Sequence, residues 1–203
     1  IHLNEPGYEV KVPLVTLNKE DWKTEKESDT VTQVNGVAVV SPDGLKGFLE
    51  KDAAQGLQWM SEKTILSGLT AELEGKNKQK VSLVAEKLKI QVTPKVEADI
   101  TFDVVVKAEV TLRNFKGHVK SQEVKDAAKK QMEKEIRDTF KEGLAIDTDV
   151  YRLSEYAYRK DFKAWKQHEA NGKIPLTEQS LANIKVEITK VTTGRKKLQE
   201  TVR

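Results

Sequence analysis

Between Ile100 and Leu112 every second residue is apolar: Ile100, Phe102, Val104, Val106, Ala108, Val110 and Leu112. Thr101, Asp103, Lys107, Glu109 and Thr111 occupy most of the positions between them. Side chains on a strand point alternately to its two faces, so this segment reads as a strand with one face in a core and one in water. That pattern belongs to an antiparallel sheet. In a chain of 203 residues, enough for one good-sized domain, something else must cover the apolar face.

The cover follows directly. Val124, Ala128, Met132, Ile136, Phe140 and Leu144 recur at steps of four, which predicts a long helix from a cap at Ser121 to about Ala145. Each step of four overshoots a turn by about 40°, so the apolar stripe winds around the helix and the helix should cross a twisted sheet obliquely. Asp147 to Asp149 interrupts it and can cap a second helix from Val150 to about Glu169, carrying Tyr151, Tyr158, Phe162 and Trp165.

Before the long strand, Leu69, Ala71 and Leu73 alternate, Gly75 to Lys78 reads as a polar turn, and Val81, Leu83 and Ala85 alternate again. The phase then slips to Leu88, Ile90 and Val92, which would turn the apolar side over unless a bulge near Glu86 and Lys87 absorbs a residue. Further upstream, Val34 to Val40, the turn residues Pro42-Asp43-Gly44 and Leu45 to Leu49 form a hairpin, followed by a short helix from Lys51 to about Lys63. Val10, Val12 and Leu14 make a strand that Pro13 confines to an edge. The charged stretch Asn18 to Thr32 reads as an exposed connection, and Ile184, Val186 and Ile188 form a closing strand reaching Val191. The order gives an α+β fold: a mainly antiparallel sheet packed against one long helix and a second C-terminal helix, with a short helix after a hairpin.

Reactive constellations are scarce. The chain has no cysteine, which excludes disulfides, thiolate nucleophiles and cysteine metal sites. His2, His118 and His168 lie far apart, without the short spacing of a metal site. Asp147 and Asp149 could form an acid and base pair, but helix capping accounts for both, and neither a nucleophile elbow nor a glycine-rich phosphate loop is present. The reading is therefore of a non-enzyme with no cofactor and no metal. Lys125, Lys129, Lys130 and Lys134 alternate with Glu123, Asp126, Glu133 and Glu135, and the net charge is only +3, so nucleic acid is not implied as a partner. Tyr151, Tyr156, Tyr158, Phe162 and Trp165 are read as packing against the sheet, with a partner-binding patch as the minority reading. No apolar run approaches the roughly 20 residues of a membrane-spanning helix. Because the chain starts at Ile1 without a signal-peptide pattern, any targeting or anchoring segment is expected upstream.

Two stretches carry a resemblance that composition could not supply. The first is Gly36-Val37-Ala38-Val39-Val40, then Leu45-Lys46-Gly47-Phe48-Leu49 and Gly56-Leu57-Gln58-Trp59. The second is Asp149-Val150-Tyr151, Glu155, Tyr158-Arg159-Lys160 and Lys163-Ala164-Trp165-Lys166, ahead of a closing strand ending at Gly194. Together, over about Val34 to Gly194, they resemble the Ger(x)C family, the lipoprotein C subunits of spore germinant receptors. Phe48 stands where that family usually has Trp, and Arg152 and Ser154 where glycines are frequent.

The resemblance implies a non-catalytic receptor subunit on the outer face of the spore inner membrane, beside integral-membrane A and B subunits. It implies membrane association only through an N-terminal lipid anchor absent from this chain. Residues 34–203 would be the C-terminal domain, and 1–33 a linker or remnant of a preceding domain. Its motif positions, Gly36, Gly47, Leu49, Gly56, Trp59, Asp149, Glu155, Tyr158, Arg159 and Trp165, have structural explanations as turns, close packing and core. The alternative function is a nutrient-binding module with an apolar pocket lined by Tyr158 and Trp165.

Overall fold

A computed structural model describes residues 9–18, 30–74, 79–97, 99–115 and 117–193. Val10–Asn18 (β1), Val31–Ser41 (β2) and Gly44–Glu50 (β3) form an antiparallel sheet in that order. Leu66–Glu72 (β4), Lys80–Val96 (β5), Ile100–Asn114 (β6) and Leu181–Thr193 (β7) form a second, four-stranded sheet. Ser121–Ala145 (α1), Leu153–Lys160 (α2) and Phe162–His168 (α3) are inserted between β6 and β7. The architecture is α+β.

The alternation in β6 becomes burial: Phe102, Val106 and Val110 are fully buried, while Thr101, Asp103 and Thr111 are half-exposed. α1 covers this face with Val124, Ala128, Met132, Ile136 and Phe140, joined by Ala127, Thr139 and Gly143. The slip in β5 is absorbed as its chemistry requires. Register breaks between Glu86 and Lys89, Lys87 adopts φ 54°, and Leu88 returns to the buried side. The Lys87 ammonium donates to Glu109 at 3.0 Å across the bulge. β7 joins β6 in parallel, which the whole helical block between them makes possible, because parallel neighbours need a long crossover. The second sheet is thus mixed.

Four features differ from the sequence reading. The cap of α1 is Lys120, and Ser121 is the first helical residue; the Glu123 carboxylate accepts the Lys120 backbone N–H at 3.4 Å and does part of a capping residue's work. The segment after the hairpin is a 3-10 helix, Lys51–Met60. The second C-terminal helix is two short ones. Asp161, at φ −152°, breaks the chain, and its carboxylate caps α3 by accepting the Ala164 N–H at 3.0 Å. Finally, Asn18 closes β1 and Val31 and Thr32 open β2, so both ends of the supposed connection are paired strand, while residues 19–29 lie outside the described residues. The Gly75 to Lys78 turn also lies outside them, with Glu72 and Lys80 paired on either side. β1 is an edge strand, as Pro13 predicts.

Candidate functional site

The motif residues of the first stretch converge on α1. Gly56 and Trp59 lie on the buried side of the 3-10 helix. The Gly56 N–H donates to the Thr139 hydroxyl at 2.8 Å, and the Trp59 indole N–H to the Glu135 carboxylate at 2.6 Å. The other Glu135 oxygen accepts from Gln131 at 2.8 Å, so this carboxylate is satisfied on both sides. Tyr151 closes the seat from below, stacked on Phe140, with its hydroxyl donating to the Ile136 carbonyl at 2.8 Å. Burial pushes the Tyr151 hydroxyl well above its ordinary pKa, so it stays a donor.

Gly36 and Gly47 serve close packing of the small sheet. At Gly36, φ is 138° and an added Cβ would meet the Leu49 carbonyl on the neighbouring strand, so neither the conformation nor the space admits a side chain. Gly47 faces Ile146 at the end of α1, and Leu49 is buried in the core.

Asp149 is the centre of a buried charged cluster. Its carboxylate accepts the N–H of Leu153 at 2.9 Å and of Ser154 at 2.8 Å, anchoring the start of α2. Its own N–H donates to Glu9 at 3.1 Å. Lys173 reaches Glu9 at 3.5 Å and the Asp147 carbonyl at 2.7 Å, and Asp147 also pairs with Lys46 at 3.1 Å. Desolvation raises the carboxyl pKa of Glu9 and of Asp149, against the opposing pull of Lys173 and, at Asp149, of its two backbone donors. Burial lowers the Lys11 ammonium, opposed by Asp149 and Glu9.

These shifts set a pH dependence. Glu9 and Asp149 take up protons more readily folded than unfolded. Their contribution to stability is complete below the unfolded carboxyl pKa of about 4 and is lost as pH rises through the higher folded values. Lys11 acts on the alkaline side, adding stability above its unfolded pKa that is lost as pH falls. The carboxyl contribution to stability is therefore expected to rise as pH falls from neutral towards about 4. It then falls below about pH 4, where Asp103 and Asp147, held low by Lys95 and Lys46, give up their pairs. Glu9→Gln should flatten the rise in thermal midpoints between these pH values; an unchanged slope would remove Glu9 from the cause.

The second motif stretch lies on α2 and α3. Glu155 accepts from Arg152 at 2.5 Å and from Arg159. Arg152, at one of the positions where the resembling family favours glycine, sits at φ 56°. Trp165 donates its indole N–H to the Ser154 hydroxyl at 2.9 Å, and the same oxygen accepts the Ile174 N–H. Tyr158 meets Trp165 and Phe162 edge-on, at ring separations of 5.1 and 5.3 Å.

The sequence reading placed all five aromatics of this region against the sheet. Tyr151 is buried, but Tyr158 is 47% exposed and Phe162 54%, and Tyr156 is also exposed. The face that α2 buries carries Leu153, Ser154 and Ala157, while α3, started afresh after the break at Asp161, buries Ala164 and leaves Phe162 exposed. An open pocket of about 570 Å³ lies nearby, lined by Lys11, Leu57, Met60, Ile90, Arg152 and Tyr156 among others. It does not include Tyr158 or Trp165, and its Arg152 and Arg159 are both engaged by Glu155. Among the described residues, no group of three or more His, Asp or Glu is placed to hold a metal ion. His118 is exposed, His168 contacts the Ala164 carbonyl at 2.8 Å, and His2 lies outside the described residues.

Glu9, Lys11, Lys173 and Thr139 were not singled out from the sequence, and Glu135 was read only as one of the mixed charges of the long helix. Nothing local marks them: Glu9 and Lys173 are 164 positions apart.

Taken together, two sheets braced by one long helix, with Leu49, Gly56, Trp59 and Asp149 turned inward, define an α+β domain. The chain belongs to the family described as spore germination B3/GerAC-like, C-terminal, whose model matches residues 35–194. Among solved structures it is similar to the crystal structure of the GerBC protein, with a TM-score of 0.67 and 21% identity over 92% of this chain. That match spans 57% of the GerBC chain, and at this identity it speaks for the fold alone. No match is found among the curated proteins.

Proposed function

We propose that this chain is the C-terminal part of the C subunit of a spore nutrient germinant receptor, acting without catalysis in receptor assembly and germination signalling. Its partners are the integral-membrane A and B subunits. Its place is the outer face of the spore inner membrane, with a lipid anchor on the full-length protein. The observation that carries this reading is the family membership over residues 35–194. In this reading the domain spans 34–203, and residues 1–33 lead into it from a preceding domain, with β1 lying along β2.

The geometry supports a docking scaffold. Gly56, Trp59, Leu49 and Asp149 are buried, fixing the relative positions of the sheets and helices. A rigid body of this kind presents its outer surfaces in a constant arrangement, which suits assembly at little cost in ordering. Spores lacking the segment that encodes residues 34–203 are expected to lose assembled receptor and the response to the cognate nutrient. Normal receptor levels and normal germination in such spores would overturn the proposal.

A further inference from the structure

The aromatic cluster of α2 and α3, with Tyr158 and Phe162 exposed and Trp165 half-buried against the core, is the feature that the scaffold reading leaves unused. Tyr158, Phe162 and Trp165 contact one another across α2 and α3, and α3 packs chiefly on α2. The Trp165 indole is pinned by Ser154, so the rings are held in place. Around them stand Arg159, Lys160, Lys163 and Lys166, all exposed, against the three carboxylates Glu155, Asp161 and Glu169. These carboxylates are committed, Glu155 to Arg152 and Arg159, Glu169 to Lys166 and Asp161 to the cap of α3, so Arg159 and Lys166 are paired as well. Lys160 and Lys163 have no ion pair among the described residues.

We propose that the Tyr158, Phe162 and Trp165 cluster with its lysine rim is a peripheral docking surface for anionic lipid headgroups. Rings of Trp, Tyr and Phe beside Lys and Arg are the composition that settles at the level of the headgroups, the apolar bodies toward the acyl chains and the polar tips in water. The cations answer a negative leaflet, each adding attraction within a Debye length. The ring patch by itself is small for a protein partner. A stable protein interface needs roughly 800 Å² on each side, whereas three partly exposed rings offer at most about 150 to 250 Å² each when fully buried. That is enough to insert at a bilayer surface. The resemblance implied membrane affinity from a lipid anchor alone; this patch is a second contact, and it is independent of the germinant-receptor reading.

The test uses the whole chain and vesicles of phosphatidylglycerol with phosphatidylcholine, against pure phosphatidylcholine, in co-sedimentation at about 50 mM salt, where screening is modest. Binding to the anionic vesicles is expected, weakening as salt is raised, with little on the neutral ones. Phe162→Ser should weaken it about tenfold, the worth of one exposed ring removed from insertion. Lys160→Glu combined with Lys163→Glu should weaken it about thirtyfold or more. All three positions are exposed, and circular dichroism of each variant is the check that it folds. Absence of binding to anionic vesicles overturns the proposal, as does binding that survives both variants undiminished. Equal binding to soluble polyglutamate, insensitive to Phe162→Ser, would overturn it in favour of an acidic protein partner.

Discussion

Trp59→Ala is expected to destabilise the fold by about 3 to 5 kcal/mol, read as a drop in the urea midpoint at constant slope. The indole is fully buried where the 3-10 helix meets α1. Its removal opens a cavity in the middle of the molecule and also withdraws the donor from one oxygen of Glu135. Trp59→Phe separates the two contributions. It keeps most of the packing and loses the hydrogen bond, so it should cost about 1 to 3 kcal/mol for an acceptor left partly unpaired. A Trp59→Ala loss below about 1 kcal/mol would mean that the 3-10 helix is not seated on α1 as described.

Gly56→Ala follows from the same contact by the opposite route. An added methyl at Gly56 would lie 2.4 Å from the Glu135 carbonyl oxygen and 2.8 Å from the Thr139 hydroxyl, and would also press on the Tyr151 hydroxyl. The first obstacle is backbone in the middle of a 25-residue helix, which cannot step aside as a side-chain tip can. The 3-10 helix must move outward, giving up the Gly56 to Thr139 hydrogen bond. The expected cost is about 3 kcal/mol, at the upper end for overpacking by one carbon. Gly68→Ala serves as a control, because an added Cβ there meets nothing within 4 Å. Equal midpoints for the two variants would refute the close approach.

Much of the architecture was readable from local pattern. The period-two run of β6, the slip at Glu86 and Lys87, and the four-residue steps of α1 each impose a geometry that neighbouring residues alone determine. The fold departs from that reading where the deciding partner is remote. The break at Asp161 interrupts a stretch whose apolar spacing is helical on both sides, and a single Asp carries no breaking signal of its own. The aromatic residues of α2 and α3 read as core because large rings usually are. Their exposure depends on which face α2 buries and on how α3 packs after Asp161, which are tertiary facts. The buried charges around Asp149 were invisible for a related reason, since Glu9 and Lys173 become its neighbours only after β1 and the segment following α3 have come together. Of the motif residues, the glycines and Trp59 could be understood as packing positions. Glu135 and Thr139, the groups they pack against, stood on a helix face that looked like ordinary solvated polarity.

The parallel pairing of β6 with β7 also governs how this polypeptide reaches its final form. Every other strand finds its partner a short distance along the chain, but β7 adds to the sheet only after α1, α2 and α3 have been threaded between. Contacts so distant in sequence are slow to close, because the loop entropy is spent before any pairing is gained. A growing chain on the ribosome therefore carries the long strand β6, apolar on one face, with one edge bare until β7 emerges. That interval is when the molecule is most exposed to edge-to-edge association with its own copies.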